Sequence, residues 1–199
     1  MRAVKQYQRR SWQQTTKVRS WPPLVPTVVD GVELRRHTPS DIEPFWQSID
    51  DDVRYWQGYE QRHVDAYDWL LRMVTRYPDM VPHARLLAVV HDGRYAGSYS
   101  LTPSIGRRDR WDVALGWWLG PEARGQGLGR ASLAAVLAYV HCDLGLRVAR
   151  MGTEDRNVRA VRQIEANGAV LVSERRHTLP NGRVVKARWY HHTASGVGD

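Results

Sequence analysis

The stretch Pro121-Glu-Ala-Arg-Gly-Gln-Gly-Leu-Gly-Arg130 constrains this chain more than any other part of it. An apolar, strand-like run from Val113 to Leu119 precedes it, and an alanine-rich helical pattern begins near Arg130. Gly125, Gly127 and Gly129 alternate along the turn, so the backbone can bend and a ligand can approach the main chain without meeting side chains. The helix behind them opens with unpaired N–H groups and the positive end of its dipole, and Arg124 and Arg130 add fixed charge. Strand, glycine turn and helix in that order make a receptor for a phosphate or diphosphate. The alternative is a strand–helix turn that holds nothing.

Two nucleotide motifs fail on the spacing. A P-loop requires Gly-Lys-Ser/Thr at its end, and no Lys-Ser/Thr follows these glycines. A dinucleotide fold would place its third glycine where Arg130 stands and an acid where the chain is basic, around Arg150.

The 199 residues suit one domain with an extension. Cys142 is the sole cysteine, which rules out an intrachain disulfide and fits a reducing compartment. No apolar run is long enough to span a membrane and no signal-peptide core is evident, so a cytoplasmic protein is expected. The net charge of +8 is concentrated at Arg2, Lys5, Arg9, Arg10, Lys17 and Arg19, before the first acid at Asp30. That is a basic tail on a nearly balanced domain, which argues against specific nucleic-acid recognition. His91, His141, His191 and His192 lack metal-site spacing, so no metal is expected.

Residues 1–29 read as a basic extension and Pro-rich linker, 30–192 as the domain, and 193–199 as a flexible tail. Within the domain, Val32-Glu-Leu-Arg alternates as a strand, and Thr38-Pro-Ser-Asp41 opens a helix carrying Ile42, Phe45, Trp46 and Ile49. Asp50-Asp51-Asp52 and Tyr55-Trp56 read as a loop. A second helix carries Val64, Tyr67, Leu71 and Val74 and stops at Pro78. Leu86–Val90 and Tyr95–Leu101 make a hairpin around Asp92-Gly93, and Trp111–Leu119 is the next strand. After the glycine turn come a helix ended by Gly145, a strand at Arg147–Thr153 and a helix capped by Asn157. A final hairpin turns at Pro180-Asn-Gly182. The fold class is α/β (α+β): a mixed, mostly antiparallel sheet with helices on both faces.

Arg124-Gly-Gln-Gly127-Leu-Gly129 matches Arg-x-x-Gly-x-Gly, and the chain resembles the GNAT superfamily of N-acetyltransferases over residues 30–192. Gly116-Trp-Trp-Leu-Gly-Pro121, Asp155-Arg-Asn157-x-x-Ala160 and Glu165-Ala-Asn-Gly168-Ala169 are similar to the branch holding the ribosomal-protein N-terminal acetyltransferases. The resemblance implies acetyl-CoA as co-substrate, lying in a V between the fourth and fifth of the strands just read. Its pantetheine arm would pair with Trp117, Trp118 and Leu119. Its diphosphate would sit on the amides of Arg124, Gly125, Gln126, Gly127, Leu128, Gly129 and Arg130. Asn157 would touch the pantetheine arm or act as a helix cap alone.

The acceptor implied is a primary amine, either a protein N-terminus or a small cationic molecule, with acetylation of an antibiotic or polyamine as the alternative. Relatives often carry a Glu base and a Tyr acid. Here Ala114 and Gly152 stand at strand positions for the Glu and Ile164 at the Tyr position, so a CoA-binding regulatory domain without turnover is the alternative. Asp112 and Glu154 share strand faces with Ala114 and Gly152 and are the candidate bases, or else solvated strand-end carboxylates. Asp51 and Asp52, with Asp50 before them and Tyr55 and Trp56 after, would line the acceptor site for a cation, or form only an acidic turn. A homodimer is left open.

Overall fold

The computed structural model describes residues 27–29, 31–76, 85–105 and 111–194. The basic extension, most of the linker, the Pro78 helix stop and the last five residues lie outside them. The alternating run after Gly31 is strand β2, Val32–Arg36, and a short β1, Thr27–Val29, turns back onto it. Those three residues were expected in the linker. Once Gly31 turns the chain at φ 75°, the open edge of β2 supplies their hydrogen-bond partners.

Asp41 accepts the Thr38 amide at 2.7 Å, closing the expected helix start, and a 3-10 turn leads into helix α1, Ile42–Gln47. The acidic segment expected as a loop is instead helix α2, Asp51–Gln57. The Asp50 carboxylate caps it by accepting from the Val53 amide at 3.0 Å, a contact worth about 1 kcal/mol. Asp51 and Asp52 face the positive end of the helix, and Gly58 ends it at φ 66°. Helix α3 is Gln61–Arg76.

Strands β3, Arg85–His91, and β4, Arg94–Ile105, are joined by Asp92-Gly93, both at positive φ as a two-residue hairpin requires. Then follow β5, Trp111–Leu119; α4, Leu128–Ala138, continued by a π-helical turn over Tyr139–Asp143; and β6, Val148–Glu154. Helix α5, Val158–Ala166, and strands β7, Val170–Thr178, and β8, Val184–Thr193, complete the order.

Among the described residues eight strands form one sheet, β1-β2-β3-β4-β5-β6-β8-β7. Every pairing is antiparallel except β5 with β6, whose crossover is α4. One face buries Leu34, Val89, Leu101, Val113 and Met151 against Leu133, Val136, Val140 and Ile164 of α4 and α5. The other packs Trp118 against Phe45 of α1, Val53 of α2, Leu71 of α3 and Ile49 from the α1–α2 connection.

His37 lies at the edge of this second layer, 5 % exposed. Its Nε2 is 3.1 Å from Ser98 Oγ, and its ring meets those of Phe45 and Tyr95. Burial drives its pKa down to about 4 from the usual 6.5, so the folded chain holds it neutral where the unfolded chain would protonate it. Its contribution is therefore complete above pH 6.5 and is lost as pH falls toward 4, about 2 kcal/mol being gone by pH 5. Chemical denaturation of wild type and His37→Phe at pH 7 and 5 checks this: the wild type should lose that much more than the variant.

Candidate functional site

β5 and β6 run side by side only from Asp112–Val148 to Leu115–Met151. Beyond that register β5 keeps β4 on its far side and β6 keeps β8, so the two strands part. The opening is a cleft of about 1000 Å³. Trp117 turns its carbonyl into the gap, where Gln57 of α2 donates to it at 2.9 Å. N–H and C=O of one strand residue share an edge, so Leu119 faces the gap too, and Arg124 Nε takes its carbonyl at 3.0 Å. Trp118 points the other way: its indole is buried and donates to Ser48 Oγ at 2.9 Å.

The glycine turn sits at the mouth of this cleft. Gly125 and Gly127 take φ of 77° and 79°, which L residues rarely adopt, and Gly127 starts α4. Among the described residues, no acceptor contacts the amides from Gly125 to Gly129. Gly129 serves differently, because a Cβ there would lie 3.3 Å from the Gln163 side chain. Gln163 accepts from Trp117 Nε1 at 3.1 Å and donates to the Gly129 carbonyl at 2.6 Å, tying strand, loop and α5 together. Arg124, Gly125, Gly127, Gly129 and Arg130 line the cleft. Gln126 bonds back to the Glu122 carbonyl and Leu128 is buried, so these two offer main chain only.

Arg124 and the acidic segment meet. Its guanidinium grips Asp50 with two bonds, at 2.8 and 2.9 Å, and reaches Asp52 at 3.4 Å. The Arg124 hydrogen bond holds the Asp50 carboxyl below its usual range. Asp52 is also paired with Arg159 at 3.1 Å. Asp50 and Asp52 are thus paired with arginines, and Arg124 fastens α2 to the loop. Asp52 and Trp56 line the cleft, whereas Asp51 is exposed and does not. Tyr55 does not line it either: it is exposed and lies under Arg183, whose guanidinium carbon is 4.1 Å from the ring centre.

The two candidate carboxylates separate. Asp112 lies in the closed part of the β5–β6 pair, off the cleft, bonded to Arg150 Nη2. The cleft lining reaches Ala114 and Arg150 but not Asp112, so of the two expected carboxylates only Glu154 is found on it among the described residues. Glu154 lies in the open part, lines the cleft and is 8 % exposed. Its Oε2 accepts from Arg183 Nη1 at 2.7 Å, and Arg183 Nη2 donates to the Tyr55 carbonyl at 2.7 Å. Arg183, which sequence reasoning passed over, therefore holds the β7–β8 hairpin against α2. Nothing local in the sequence could announce a partner 128 positions away.

Asn157 caps α5, its Oδ1 accepting from the Ala160 amide at 3.2 Å, and it also lines the cleft. Ile164 is wholly buried in the sheet core, and Arg162 and Gln163 are the residues of that helical turn on the cleft. Gly152 is obligatory because the Trp189 ring lies 2.7 Å from where its Cβ would be. Among the described residues, no three His, Cys, Asp or Glu side chains converge to hold a metal, and no helix is long and apolar enough to cross a membrane.

The family model for the acetyltransferase (GNAT) domain matches residues 32–170. A mycothiol acetyltransferase of Pseudarthrobacter chlorophenolicus is 31% identical over 134 residues; the match takes in 66% of this chain but 40% of that protein. RimJ of Mycobacterium smegmatis, solved in complex with CoA-disulfide, superposes with TM-score 0.70 at 17% identity, covering 90% of this chain and 91% of its own. The ribosomal-protein-S5-alanine acetyltransferase of Vibrio fischeri gives 0.69 at 15%, covering 88% and 100%. Spermidine N-acetyltransferase of Vibrio cholerae, solved with CoA and spermine, gives 0.67 at 19%, covering 83% and 96%. At such identities these structures speak to the fold.

Proposed function

Because this chain belongs to the acetyltransferase (GNAT) domain family, we propose that it is an N-acetyltransferase that moves the acetyl group of acetyl-CoA directly to a primary amine. The parting of β5 from β6 beside a loop of unpartnered amides carries the reading. A pantetheine arm would add to the free edge at Trp117 and Leu119, displacing Gln57, and the diphosphate would rest on the amides of Gly125 to Gly129. Arg124 does not reach for the diphosphate in this reading; it positions the loop against α2. Arg130, Arg159 and Arg162, all on the cleft, favour a polyanionic cofactor.

Glu154 is the base. Its carboxylate has lone pairs to spare beside the single Arg183 bond and can take the proton an alkylammonium must lose before it attacks. The amine nitrogen then bonds to the thioester carbon, the oxyanion is met by a strand amide at the free edge, and the C–S bond breaks toward the CoA thiolate. Tyr59 and Tyr67 line the cleft with hydroxyls 2.9 Å apart that burial keeps protonated, so they can return a proton to that thiolate. Incubation with acetyl-CoA and a panel of amines should release free thiol with matching acetylated product. Tight binding of acetyl-CoA without turnover on any amine would instead favour a regulatory cofactor-binding domain.

A further inference from the structure

The free face of the last three strands carries a grid of which the acetyl-transfer reading uses only Glu154. Alternation puts Arg150, Gly152 and Glu154 of β6 on one face, opposite His191, Trp189 and Ala187 of β8. Ser173 and Arg175 of β7 lie beyond Trp189 and Ala187. Trp189 stands at the centre. Its ring covers Gly152 on one side, and the Arg175 guanidinium carbon is 4.8 Å from its ring centre. Against the outer side of Trp189 is a second cavity of about 280 Å³, lined by Arg150, Ser173, Arg175 and His191 with no carboxylate among its walls. Arg150 and Trp189 belong to both cavities, so this recess continues the main cleft past the level where the strands part.

The charge balance of the recess is positive. Arg150 is paired with Asp112, but among the described residues Arg175 has no ion pair. His191 stands directly across from Arg150, and burial together with that guanidinium lowers its pKa, so it remains a neutral hydrogen-bonding group. The acidic group of α2 on the cleft that could have recruited a cationic acceptor, Asp52, is meanwhile paired with Arg124 and Arg159.

We propose that the recess bounded by Arg150, Ser173, Arg175, Trp189 and His191 binds an anionic oxygen-acid group, carboxylate or phosphate, carried by the acceptor whose amine is acetylated beside Gly152. This rests on the acetyltransferase reading and assigns its acceptor class: a molecule with an amine and an acid on the order of 10 Å apart, the span of three residues of a strand. Arg150 and Arg175 supply charge and N–H donors, Ser173 a hydroxyl, and Trp189 the apolar wall along which the linking carbons lie.

Turnover by the full chain is compared across acceptors of matched length: a diamine, an amino alcohol, an ω-amino carboxylate and an ω-amino phosphate. The acid-bearing amines should exceed the diamine at least tenfold in kcat/KM, with the better of the two naming the acid. Arg175→Gln should lower kcat/KM for the acid-bearing amines at least tenfold more than for the amino alcohol, erasing that preference. Turnover with the diamine preferred, or an acid preference that survives Arg175→Gln, overturns the recess and leaves the acetyltransferase standing. Calorimetry of the ω-amino carboxylate and ω-amino phosphate, with and without CoA, provides a readout independent of chemistry. Binding weakened tenfold by Arg175→Gln without turnover of any amine supports the recess and removes the transfer reaction. Neither binding nor turnover overturns both.

Discussion

Gly127→Asp should lower the affinity for coenzyme A by at least about 100-fold while the chain stays folded. A Cβ at this position meets nothing within 4 Å, so the protein core does not resist the change. The backbone does: at φ 79° an L residue costs about 1–2 kcal/mol. The larger penalty is electrostatic. A carboxylate placed among the unpartnered amides would face the diphosphate, and two unit charges at 4 Å repel by about 4 kcal/mol near a protein surface. Calorimetry with CoA, alongside circular dichroism to verify folding, measures both. Undiminished affinity would refute the loop assignment. Gly129 is the poorer choice, since its Cβ would press on Gln163 and disturb the packing of α4 with α5 before any ligand arrived.

Glu154→Gln should reduce kcat by about 10²–10⁴-fold with CoA affinity unchanged, as expected when a positioned base is removed from a step that needs it. The amide keeps the side-chain shape and can still accept from Arg183, so the hairpin should remain seated on α2. Asp112→Asn is the control. It lies in the closed part of the strand pair, bonded to Arg150, and should cost stability but not kcat. Steady-state rates at saturating acetyl-CoA, set beside thermal unfolding of both variants, separate the two roles. If the Asp112 variant is the slower enzyme, the base has been misassigned.

Much of this was legible in the chain. The glycine turn, the strands flanking it and the hairpin at Asp92-Gly93 declare themselves through local chemistry, since a positive φ or a period of two needs no distant partner. Helix α2 was also locally written, in an acidic cap and a terminal Gly58, but the three aspartates look equally like a polar turn. β1 was obscured by the prolines before it, which argue against a helix without announcing a strand.

The candidate site was legible only along the glycine turn, where Arg124 to Arg130 are consecutive. The acceptor side was not. Trp189 over Gly152, Arg183 on Glu154 and Arg124 on Asp50 join residues from 29 to 74 positions apart or create space by what they fill, and a sequence pattern cannot register either. Reading Arg124 as a phosphate ligand and the aspartates as a cation trap was reasonable for each alone. They cancel because the fold brings them together.

The inversion at the end of the sheet has a consequence for synthesis on the ribosome. β8 follows β7 in the chain yet lies between it and β6. A nascent polypeptide that has emerged through residue 178 has its glycine turn and all of β6, but that strand still lacks the neighbour that carries Trp189. The cleft can therefore acquire the wall that Trp189 supplies only after the final hairpin leaves the exit tunnel, and stalled or truncated products should hold no complete cleft.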